Sequence, residues 1–159
     1  MTVREVMTKP VATCRPETNL AEATALMWEN GCGALPVLTE AGELAGIVTD
    51  RDICIALGTR NVRSSDLFVR DLLRDHTSVC KSSDEIHAAL TKMREGKIRR
   101  LPVVSDDARL EGIVSMDDVV LNAEGDGKMG HVISYGDVVT TLKAIYTPGN
   151  PLRSQSAGA

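Results

Sequence analysis

The chain has 159 residues, 43% hydrophobic but only 3% aromatic, so its core must be built from Val, Ile, Leu, Ala and Met. Its formal charge of −4 argues against a general nucleic-acid binder, whose footprint is basic. The opening MTVREVMTKP lacks an apolar signal core, and no apolar run approaches the ~20 residues that cross a bilayer, so a cytoplasmic protein without a membrane partner is expected.

In chain order, a short extended segment is expected at residues 11–14. Leu20, Ala23 and Met27 then recur at helical spacing, with Asn19-x-x-Glu22 as the candidate cap. Two strands follow, ALPVL and LAGIV, joined by a turn at residues 40–43. A second helix starts after the hydroxyl of Thr49, with Ile53, Ala56 and Leu57 as its apolar face. Residues 58–66, GTRNVRSSD, form a polar connection.

The same order then returns. An extended segment at residues 78–80 precedes a helix through Ile86, Ala89, Leu90 and Met93, with Ser82-x-x-Glu85 as its candidate cap. Strands LPVV and LEGIV flank a turn at 106–109, and a helix follows with Val119, Val120 and Leu121 as its apolar positions. Beyond these, DGKMG at 126–130 lacks the spacing of a phosphate loop. Residues 137–146 read as an amphipathic helix through Val138, Leu142 and Ile145, which either packs on the core or caps the module and helps a dimer interface. The tail 148–159 is rich in Pro, Gly, Ser and Ala and is expected to be disordered.

This return is a duplication. Adding 66 to every number from Val3 to Ile53 aligns 51 pairs without a gap, and 14 of them are identical. A unit of about 60 residues is marginal alone; two packed sheet to sheet bury the faces each leaves wet. The expected class is α+β, with two β-α-β-β-α repeats related by a pseudo-two-fold axis and a C-terminal helix. The boundaries read as repeat one at 2–58, a linker at 59–68, repeat two at 69–123, an extension with a helix at 124–147 and the tail at 148–159.

The residues VREVMT, LAEATALMWENGCGALPVL and GELAGIVTDRDI, with VRDLL, IHAALTKMREGKIRRLPVV and RLEGIVSMDDV in the second copy, resemble a tandem pair of CBS (cystathionine β-synthase) domains, a Bateman module. The resemblance covers about three quarters of the chain. It implies a regulatory module whose clefts bind AMP, ADP, ATP or a related adenosyl ligand, with no cofactor required. It also implies a homodimer acting in trans on an unknown partner.

Thr49-x-x-Asp52 and Ser115-x-x-Asp118 are by themselves capping boxes. The same helix N-termini offer free N–H groups to an anion, and the resemblance implies that Asp52 and Asp118 take ribose hydroxyls. Arg99 and Arg100, adjacent at a strand start, must point to opposite sides, so one faces the cleft and suits a phosphate. Copy one has Gly33 and Ala34 there, so its pocket is weaker, empty or filled by a different ligand, and Arg51 is either a partial substitute or, as more often at such a position, an exposed helix arginine. The base is expected against Val11, Thr13 and Pro36 in one copy and Thr77, Val79 and Pro102 in the other.

Cys14, Cys32, Cys54 and Cys80 show no metal spacing, and His76, His87 and His131 are scattered, so no metal site is expected. No nucleophile has a partnered base, and no enzyme is expected. The alternative to a sensor is a structural or interaction dimer with vestigial pockets.

Overall fold

The computed structural model describes residues 1–125 and 132–148. It has the expected mixed α+β class, in two halves that repeat each other. In the first, helix α2 (Leu20–Glu29) precedes strands β1 (Ala34–Leu38) and β2 (Leu44–Thr49) and helix α3 (Asp50–Arg60), while helix α1 (Val3–Val6) comes before them all. In the second, strand β3 (Cys80–Lys81) is followed by α4 (Ile86–Gly96), β4 (Arg100–Val104), β5 (Leu110–Ser115) and α5 (Met116–Leu121). Helix α6 (Tyr135–Tyr146) closes the described chain.

The two hairpins have one register. Pro36 lies opposite Ile47 and Pro102 opposite Ile113, and the ladder shifts after Val37 and after Val103. Both shifts sit at positions related by 66, so the duplication extends to the irregularities.

The leading segments, however, are exchanged. Val3 and Val6 of α1 are buried in the core of the second half, with Ile86, Leu90, Leu101 and Val119. Val69, the copy of Val3, is buried in the core of the first half, with Leu20, Leu35, Val48 and Ile53. Backbone bonds fix each exchange: Val3 N–H donates to the Asp84 carbonyl and Arg4 N–H to that of Ser82, as Val69 does to Thr18 and Arg70 to Pro16. Thr8 and Ile113 then exchange both backbone bonds across the molecule, at 2.8 and 3.1 Å.

This crossing explains the glycine that opens each G-I-V motif. A Cβ on Gly112 would lie 2.9 Å from both the Met7 sulfur and the Thr8 carbonyl oxygen. On Gly46 it would lie 2.8 Å from Leu73, the copy of Met7. A side chain at Gly112 would push the crossing backbone off the sheet, whereas at Gly46 the end of the Leu73 side chain would have to turn aside.

Several local expectations are corrected. Residues 11–14 form no strand; only Cys14 makes a bridge, to Val37. Ser82 does not cap α4: it is buried and accepts from Arg4 Nη2 at 3.0 Å, and Glu85 stands at the cap position without a side-chain bond. Asn19 does cap α2, accepting from Glu22 N–H. Val120 and Leu121 are exposed, Leu121 by 83%, because three consecutive residues cannot share one helical face; only Val119 is buried. Residues 58–60 belong to α3. Helix α6 takes the core-packing role, with Val138 and Thr141 buried and Leu142 and Ile145 against the second core. DGKMG, His131 and residues 149–159 of the tail lie outside the described residues.

Val3→Ala should therefore destabilise the protein by about 2 kcal/mol, the cost of removing a fully buried branched side chain. Urea unfolding monitored by circular dichroism measures this, with exposed Lys9→Ala as the neutral control. Equal midpoints for the two variants would contradict the exchange.

Candidate functional site

Each β-hairpin delivers a hydroxyl residue to the start of a helix, where the chain turns and leaves N–H groups free. The Thr49 hydroxyl accepts from Asp52 N–H at 3.1 Å, and Asp52 Oδ2 accepts back from Thr49 N–H and Oγ1 at 3.1 and 2.6 Å. Ser115 and Asp118 repeat this: Asp118 Oδ2 accepts from Ser115 N–H at 2.8 Å and Oγ at 2.5 Å, and Ser115 Oγ accepts from Asp118 N–H at 3.2 Å. Both motifs are complete capping boxes. In each, one carboxylate oxygen is used by the cap and Oδ1 projects outward.

The two Oδ1 atoms meet different neighbours, both supplied by the crossing segments. Asp118 Oδ1 accepts from the Thr8 hydroxyl at 2.7 Å. Asp52 Oδ1 is paired with Arg74 Nη2 at 3.1 Å. Thr8 and Arg74 are copies of one position, so a neutral donor covers one aspartate and a cation the other. Neither neighbour was identifiable from local sequence, because both reach the site by the exchange.

Around Asp118 the two repeats enclose a cavity of ≈ 260 Å³. The second repeat supplies Arg100, Ile113, Ser115, Asp117 and Asp118; Thr8, Pro10, Val11 and Ala12 come from the crossing segment, and residues 30–34 from the loop after α2 and the first residue of β1. Of the expected site residues, Val11, Arg100, Ser115 and Asp118 thus come together. Thr8, Cys32 and Asp117 were missed.

Arg99, in the bend before β4, and Arg100, the first residue of the strand, point to different sides. Arg100 faces the cavity, and its Nη2 lies 3.5 Å from where a Cβ on Gly33 would stand. Arg99 turns away to α6, with Nη1 3.5 Å from the Tyr146 hydroxyl. The bare Gly33 leaves room for both Arg100 and Asp50, whose Oδ2 lies 2.8 Å from that same point.

The remaining expected residues lie elsewhere. Thr49 and Asp52 stand with Arg74, while Thr77 Oγ1 lies 3.5 Å from the Cβ point of Gly46 on β2. Pro36 and Pro102 are buried inside β1 and β4, and the Pro36 carbonyl accepts from Cys14 N–H. Thr13 is half-buried outside the cavity lining, and the Val79 carbonyl accepts from Lys92 Nζ at 2.9 Å. Arg51 is exposed on α3.

Among the described residues no group of three or more His, Cys, Asp or Glu side chains is placed to hold a metal ion. No described helix is long and apolar enough to cross a membrane. Burial pushes the thiols of Cys14 and Cys80 up to about 11, which keeps them protonated and unreactive at neutral pH.

Comparison with known proteins places this geometry. The CBS domain family matches residues 3–59 and 69–125. The chain is 31% identical over 120 residues to an uncharacterized protein of Methanopyrus kandleri, covering 76% of this chain and 61% of that one. It is 33% identical over 132 residues to the CBS domain-containing protein YhcV of Bacillus subtilis, covering 83% and 92%. Among solved structures it resembles CBSX2 in complex with AMP, at 30% identity and a TM-score of 0.66, covering 76% of this chain and 93% of that one. It also resembles the CBS domain pair of protein MJ0100 in complex with 5-methylthioadenosine and S-adenosyl-L-methionine, at 25% identity and a TM-score of 0.70, covering 76% and 94%.

At pH 8, Cys54, which is exposed, should react at once with a disulfide reagent, whereas Cys14 and Cys80 should react only after unfolding. Immediate reaction of all four thiols in the native protein would contradict the burial that raises two of them.

Proposed function

Because the chain belongs to the CBS domain family as a tandem pair, we propose that it is a regulatory module that senses an adenosine nucleotide in the Asp118 cleft. Relatives of the same fold are described with AMP or with adenosyl ligands bound. The observation that carries the reading for this chain is the convergence of Asp118, Arg100 and Val11 on one cavity drawn from both repeats.

In this reading a ribose hydroxyl donates to Asp118 Oδ1. An ionised carboxylate has about four acceptor positions; Ser115 uses two on Oδ2 and Thr8 one on Oδ1, so one is open even before Thr8 moves. Arg100 offers a planar fork to a phosphate, which it bonds at two points. The base lies against Val11 and Ala12, where few aromatics are present to stack it and backbone groups set the selectivity. The cavity is near the lower end of ligand sites, about 300 Å³, which suits a nucleoside monophosphate.

The Asp52 cleft is the weaker ribose site. A ligand there must displace a guanidinium from Asp52 Oδ1, where at Asp118 it meets only the neutral Thr8 hydroxyl. This contact also favours the second reading, a vestigial pocket, for that cleft alone. The module would act in the cytoplasm as a homodimer, in trans on another protein, binding its ligand without chemistry on it.

AMP should raise the melting temperature, since a ligand bound only by the native state stabilises it by about 2.7 kcal/mol at a hundredfold excess over Kd. A thermal-shift panel of AMP, ADP, ATP and S-adenosyl-L-methionine tests this, and no shift with any of them at millimolar concentration would sink the sensor reading. Asp118→Ala should weaken AMP binding at least about tenfold, the loss of a hydrogen bond to a charged group. The same variant should lose about 1 kcal/mol of stability with its cap. Unchanged AMP affinity by calorimetry would reduce Asp118 to a helix cap.

A further inference from the structure

The Asp118 cavity is poor in positive charge. Arg100 is the only cation among its lining residues, whereas Asp117 and Asp118 both line it. Lys9, beside Pro10, is exposed and outside the lining, and Arg99 is turned to Tyr146 on α6. A third carboxylate stands behind the wall at Gly33. Asp50 Oδ2 lies 2.8 Å from the Cβ point of that glycine, which Arg100 Nη2 approaches to 3.5 Å. The cleft therefore has one guanidinium to offer, and anions surround it.

Asp118 is accounted for by its capping box and by the Thr8 hydroxyl. Asp117 is not. It is exposed and yet lines the cavity, which puts it at the mouth. Among the described residues neither Asp117 nor Arg100 makes an ion pair. An acid in the first turn suits the helix dipole, but copy one carries Arg51 at this position and still starts α3 with a complete capping box. The fold thus needs no acid here, and the charge at the mouth is free to serve the ligand.

A ligand held by its ribose at Asp118 Oδ1 turns its 5′ substituent to Arg100, which matches one phosphate. A second or third phosphate finds no further cation among the lining residues and leaves past Asp117. Like charges brought together in this way reject a wrong ligand at little cost to the right one.

We infer that Asp117 is a specificity-determining residue that restricts the Asp118 cleft to adenosine ligands with no more than one phosphate and excludes free di- and triphosphates. This rests on the nucleotide reading of the cleft and narrows it from adenosine ligands in general to AMP against ADP and ATP.

Calorimetry on the full chain with AMP and with ATP, both in EDTA, tests the selectivity. At low salt AMP should bind at least about fivefold tighter than ATP, a factor that one close contact between like charges supplies even in water. Raising the salt from about 0.01 M to 1 M shortens the screening length from about 30 to 3 Å and should close much of the gap. Asp117→Asn should narrow it at low salt. Asp117→Arg, which installs the residue of copy one, should make ATP the tighter ligand. Equal affinities in the unaltered protein, or a gap that both substitutions leave untouched, overturn the role of Asp117, while AMP binding still upholds the cleft. Absence of binding by either nucleotide overturns the cleft reading and the selectivity with it. Magnesium ions that bring ATP to the affinity of AMP in the unaltered protein, but not in Asp117→Asn, make Asp117 a ligand of a metal–nucleotide complex and overturn its excluding role.

Discussion

The exchange of leading segments is the constraint on which the rest of the molecule depends. Burying Val3 and Val6 in the second core and Val69 in the first ties the halves together by apolar packing as well as by hydrogen bonds. It also sets what lines the clefts. The segment that leaves α1 passes over β5 at Gly112 and carries Thr8, Pro10 and Val11 into the cavity beside Asp118. Replace that glycine and the strand contact, the Thr8–Asp118 bond and one wall of the cleft move together.

Within that symmetric frame, the side chains are asymmetric. Arg74 against Thr8, Arg100 against Ala34 and Asp117 against Arg51 each reverse or remove a charge at equivalent positions. Backbone and core keep the duplication, down to the shifted ladder in each hairpin. The differences concentrate at the aspartates and along the helix faces, where α6 lies along α4 and α5 of the second copy. This division is physically reasonable: core positions are held by packing in both halves, whereas cleft and surface positions carry no such shared demand.

Much of this was legible in the sequence because its signals are local. Helical spacing located α2 and α4, and the hydroxyl–acid pairs marked the starts of α3 and α5; Arg99 and Arg100 do part, as expected, although Arg99 lies in the bend before β4 and not in the strand. What was missed is non-local. Nothing in VREVM says that it packs on residues some eighty positions later, so Thr8 and Arg74 went unnoticed beside the aspartates. Ser82 shows the same limit: its spacing to Glu85 matched a cap, but its hydroxyl was already engaged by Arg4 from the far end of the chain. The register of 66 would have placed Glu85, the copy of Asn19, at that cap.

The exchange also orders events in time. On the ribosome, residues 3–8 are made long before their partners on α4, β5 and α5. The first half, by contrast, is complete once Val69 and its neighbours emerge. The second core therefore draws on segments that leave the ribosome far apart, from Val3 to Val138, whereas the first draws on the shorter stretch from Cys14 to Val69, so closing the second costs more loop entropy.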